Sequence, residues 1–100
     1  VEIKDRDVIG EERICWGSDS PHYEGTFPHT RLALRHTFND VGEASARKML
    51  GLNAAELYDF DLGALEKIAA KCGPTWEELS VPLREDEFPE QTHTNAFRRL

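Results

Sequence analysis

Apolar residues fall along this chain in one short run and several helix-spaced stripes. The run, Arg13-Ile14-Cys15-Trp16-Gly17, has the length and composition of a buried strand, predicted over about 13–18. It stops at Asp19 and opens into a loop punctuated by Pro21, Gly25 and Pro28. Helices are then predicted over 31–38 behind Thr30 as N-cap, over 43–50 with Gly51 as stop, and over 54–58 behind Asn53 as cap. The strongest helix is 62–72, where Leu62, Leu65, Ile68, Ala69 and Cys72 share one face and Glu66, Lys67 and Lys71 lie opposite. Asp61 caps it, Gly73-Pro74 ends it, and Thr75-Trp76-Glu77-Glu78 has the capping-box pattern of a further short helix over 75–79. The stretch before Arg13 is a charged lead-in or helix remnant; 80–100 is an extended tail with weak coiling at 95–99.

The pattern predicts a mainly α protein with one short strand. A lone strand leaves its backbone donors and acceptors unsatisfied, so this one requires neighbours that the chain does not offer. At 100 residues the chain is a single segment with a modest core. Trp16 and Trp76 are expected in that core. Cys15, in the strand, and Cys72, on the helical stripe, are expected there too, because they fit no metal or redox spacing. Unpaired cysteines point to a reducing cytoplasm. A net charge of −7 without basic clusters argues against nucleic acid or an anionic membrane as partner. No apolar run approaches the ~20 residues of a membrane span.

Asp19 leads the candidates for chemistry, since an acid where a buried strand ends is held rigidly at the mouth of an α/β fold. The bland alternative is an aspartate that bonds the loop backbone. His22 and Glu24 lie close by in sequence, as residues of a substrate pocket or of a second layer around Asp19. His22, His29 and His36 are spaced by seven; Asp19, His22 and His29 would offer three metal ligands only if the loop folded back on itself. Gly25 serves the turn.

Trp16-Gly17-Ser18-Asp19-Ser20-Pro21-His22 followed by Glu24-Gly25-Thr26 resembles the Gly-Ser-Asp-Tyr-Pro-His…Gly-Thr segment of the metal-dependent amidohydrolases, in the branch that includes aminocarboxymuconate-semialdehyde decarboxylase. Asn53-Ala54-Ala55-Glu56-Leu57-Tyr58 and Ile68 to Thr75 resemble two later pieces of the same family, in order and spacing. The resemblance implies a C-terminal βα segment with the closing helices of a (β/α)8 barrel, a fold that takes roughly 250 residues. The start at Val1 suits an excised segment. It also implies that Asp19 ligates a divalent metal, usually zinc, in a complete enzyme acting on a small molecule by hydrolysis or decarboxylation. This chain lacks the family's His-x-His ligands, so the isolated piece is expected to be inactive and to hold no metal firmly. Ser20 stands where the family has tyrosine or phenylalanine, which alters the pocket. The competing reading is a self-standing, mostly helical interaction domain that buries its apolar faces by self-association.

Overall fold

A computed structural model describes residues 3–97. Six helices follow one another: α1 (Arg6–Ile9), α2 (Thr30–Phe38), α3 (Glu43–Arg47), α4 (Asn53–Leu57), α5 (Leu62–Cys72) and α6 (Trp76–Leu79). Tight 3₁₀ turns lie at Glu11–Arg13, Glu85–Glu87 and Asn95–Phe97. Among the described residues there is no strand. The segment expected as one is extended, with Ile14 at φ −103° and ψ 128°, but it has no sheet to join. Its ordered contact is a hydrogen bond from Trp16 N to Met49 O at 2.8 Å, across to a helical turn rather than along a ladder.

The core forms where α2, the α3–α4 run and α6 meet. Leu34, Phe38, Val41, Ala46, Met49 and Leu79 are buried together, with Ile14, Trp16 and Trp76 packed half-buried against them. Among the described residues Phe38 and Met49 are the largest side chains that are almost wholly buried. Asn39 closes α2 by donating its side-chain amide to Arg35 O at 2.7 Å. Gly42 then turns the chain at φ +96°, a backbone that a residue with a Cβ resists.

Past α3 the helix does not stop at Gly51. A wider turn, Lys48–Leu52, carries it into α4, so the two helices expected at 43–50 and 54–58 form one run. Asn53 is buried inside this run and caps nothing. Its amide donates to Glu11 O at 2.7 Å and Ile14 O at 2.9 Å, tying the entry of the extended segment to the helices. Thr30 begins α2 with its hydroxyl 3.0 Å from that of Thr26; His29 occupies the cap position without a side-chain bond.

α5 runs from Leu62 to Cys72 behind Asp61, whose Oδ1 accepts from Ala64 N at 3.1 Å. No residue of α5 is buried. Neither Cys15 nor Cys72 is in the core; both are free and exposed. The cause is the same for each: among the described residues no neighbouring strand lies over Cys15, and none covers the stripe that carries Cys72. Thr75 caps α6 by accepting from Glu78 N at 3.2 Å, while the Glu78 carboxylate turns to Arg31 at 2.7 Å.

The described tail is held through α2. Arg35 donates to Val81 O at 3.0 Å and Pro82 O at 3.2 Å and pairs with Glu87 at 2.8 Å. That guanidinium, with a backbone bond from Arg84, lowers the Glu87 carboxyl from its ordinary 4.5 to about 2. His36, Phe88 and Phe97 pack their rings beside this clasp. The coil expected at 95–99 begins as the Asn95–Phe97 turn; the rest of it lies outside the described residues.

Candidate functional site

The extended segment delivers the chain to Ser18, and loop 18–26 closes on itself. Ser18 O accepts from Thr26 N at 3.0 Å, Asp19 O from His22 N at 2.7 Å, and His22 O from Gly25 N at 2.9 Å. Thr26 is buried and fixes the far side of the loop to α2. Gly25 is required by crowding. A Cβ there would lie 2.9 Å from Asp19 O and 3.0 Å from both His22 O and Ser18 O, all backbone atoms that cannot swing away.

Asp19 sits at φ +59°, in the left-handed region that residues other than glycine seldom occupy. Asn and Asp tolerate it best, and such positions cluster at functional sites. Its carboxylate does not bond the loop backbone; Ser20 N instead donates to Ser18 Oγ at 3.3 Å. Asp19 Oδ2 lies 3.1 Å from His22 Nδ1, and both side chains are mostly exposed.

His22 Nδ1 is also within 3.2 Å of Glu24 N. One ring nitrogen cannot donate and accept at once, so the two contacts belong to different forms of the imidazole. With a proton on Nδ1, His22 donates to Asp19; with Nδ1 bare, it accepts from the Glu24 amide. Glu24 thus enters the site through its backbone. Ser20, Pro21, His22, Gly25 and Phe27 line an open cleft of about 400 Å³ beside this pair.

The histidines do not converge. His29 lies at the start of α2, His36 packs against Phe88, and His93 stacks on Tyr23 with ring centroids 4.0 Å apart. Among the described residues no three of His, Cys, Asp and Glu come together as a group that could hold a metal. Asp19 and His22 alone fall short of the three protein ligands an open catalytic zinc takes, so the described residues do not fit a whole metal site. The three-ligand set of Asp19, His22 and His29 is not assembled.

Two long-range contacts around the site were not anticipated by sequence reasoning. Asn53 carries a capping residue's signature but anchors the entry of the extended segment, and the Tyr23–His93 stack joins segments 70 positions apart. No local pattern announces either. Among the described residues no helix is long and apolar enough to cross a membrane.

No curated protein and no solved structure matches the chain. A family model described as Amidohydrolase matches residues 6–60, which takes in the extended segment, the Asp19 loop and α2 through α4. Because that match spans more than half of its 100 residues, the chain belongs to the amidohydrolase family.

Proposed function

We propose that this chain contributes the last strand, its terminal aspartate and the closing helices to a (β/α)8 metalloenzyme whose remaining ligands lie outside these residues. The observation that carries this reading is Asp19 itself: an exposed carboxylate, held at φ +59° by a closed loop, at the end of an extended segment within the family match. In the complete enzyme Asp19 offers an oxygen to a divalent metal, usually zinc. His22, in contact with its other side, fixes the carboxylate's orientation, as partners behind metal ligands commonly do. His22 and the Glu24 backbone border the cleft for a small-molecule substrate. The described residues hold too few ligands for catalysis alone.

The finer placement, near the decarboxylases of the family, is supported by the segments Trp16 to His22, Asn53 to Tyr58 and Ile68 to Thr75. Ser20, lining the cleft, marks a substrate pocket shaped differently from that of the aromatic-bearing relatives.

The test is Asp19→Asn in the native gene product, with metal content and turnover read together. Loss of both, with circular dichroism unchanged, is the expected result. Full metal content and turnover in the variant would refute the ligand role.

A further inference from the structure

Past Glu87 the chain leaves α2 and returns to it. Phe88 and Phe97, nine positions apart, meet at His36, with ring centroids 5.1 Å and 6.1 Å from the imidazole and 6.3 Å from each other. Residues 89–96 therefore form a loop closed at its base, in the manner of a compact surface loop packed by its own side chains. That base is fastened to α2. Arg35 holds the preceding segment through Glu87 and through the carbonyls of Val81 and Pro82, and the side chains of Arg35 and Glu87 are only 14% and 19% exposed.

The tip is held differently. Thr94 N donates to Thr92 Oγ1 and Ala96 N to Thr94 Oγ1, both at 3.3 Å, so these bonds shape the loop from within. His93 reaches out of it to stack on Tyr23, with centroids 4.0 Å apart and 23° between the planes, and Tyr23 is 71% exposed. A stacked aromatic pair shifts an equilibrium by about two- to tenfold, enough to favour the seated loop and too little to lock it.

Tyr23 is where such a contact has leverage. It sits midway round the closed loop 18–26, at the corner of the turn in which His22 O accepts from Gly25 N. The peptide it shares with Glu24 carries the amide that faces His22 Nδ1. Holding the Tyr23 ring therefore holds His22 and one wall of the cleft, where Ser20, Pro21, His22 and Gly25 stand together.

We propose that residues 88–97 are a strap, fixed at its base on α2, whose tip seats His93 on Tyr23 to brace the Asp19 loop and lifts to release it. His93 is then a positioning residue that acts on His22 through Tyr23. That the braced loop is a reaction site rests on the role proposed for Asp19; the strap itself does not.

Amide hydrogen exchange of the full chain, followed by NMR, tests the strap without any metal or substrate. His93→Ala is expected to speed exchange of the His22 and Gly25 amides by about two- to tenfold, while the core amides of Phe38 and Met49 keep their rates. His93→Phe, which keeps a ring over Tyr23, restores the slower exchange. In a Tyr23→Ala background the His93→Ala change has no further effect, because the pair acts as one contact. Unchanged exchange in His93→Ala, a rise spread equally over the core amides, or a failure of His93→Phe to restore protection overturns the inference. Because no metal enters the measurement, an Asp19→Asn variant that keeps its metal refutes the ligand role and not the strap.

Discussion

The Asp19 loop and α5 are solved in opposite ways. The loop has little regular structure and few local signals, yet it is fixed by its own backbone bonds, by the crowding at Gly25 and by Thr26 against α2. α5 has a capping aspartate, a continuous stripe and a proline stop, yet none of its residues is buried. Local sequence grammar therefore says how a segment coils and not whether the molecule holds it down. What ties the extended segment ahead of the loop to the helices is long-range: Asn53 reaches back 42 and 39 residues to Glu11 O and Ile14 O.

The contrast can be broken most strongly at the core beneath the loop. Phe38→Ala is expected to lower the unfolding free energy by about 3–5 kcal/mol, since the side chain is 1% exposed and its removal leaves a cavity. Chemical denaturation measures it. Asn53→Ala should cost about 1–3 kcal/mol by the same measurement, because two carbonyls lose their donor. A loss near zero would mean that the entry of the extended segment is held by something else.

Gly25→Ala acts on the loop alone. Three backbone oxygens stand in the way of the new methyl, so a penalty of about 1–3 kcal/mol is expected, with amide shifts in an NMR spectrum confined to 18–26. Acid probes the tail clasp. The Glu87 carboxyl is depressed from 4.5 to about 2, so the folded chain binds its proton less readily than the unfolded one. The clasp's contribution is complete above pH 4.5 and lost as the pH falls toward about 2; Arg35→Gln should flatten that part of the stability profile. Smallest of all is Ile68→Ala on α5, which should move the stability by no more than about 0.5 kcal/mol, since the side chain is 58% exposed.

Much of the helical layout was legible in the sequence. Asp61, Gly73 and Pro74 bracket α5 at the positions where its bonds begin and end, and Thr75 announces α6. The strand was not legible as what it is, because an extended, apolar pentapeptide looks the same whether or not a neighbour exists to pair with it. Cys15 and Cys72 were misplaced for that reason: their local pattern is that of buried residues, and burial depends on a covering element that the described residues do not supply. At the site, the closeness of Asp19 and His22 could be read from three positions of separation in a turn. That His22 must choose between Asp19 and the Glu24 amide could not, since it depends on how the loop closes.

The claim that this chain supplies one ligand to a metal site completed elsewhere is tested most directly by native mass spectrometry of the gene product from its own cells, reading polypeptide mass and bound metal together. A polypeptide of roughly 250 residues or more carrying a divalent metal is the expected result. A polypeptide of 11.4 kDa without metal would contradict it.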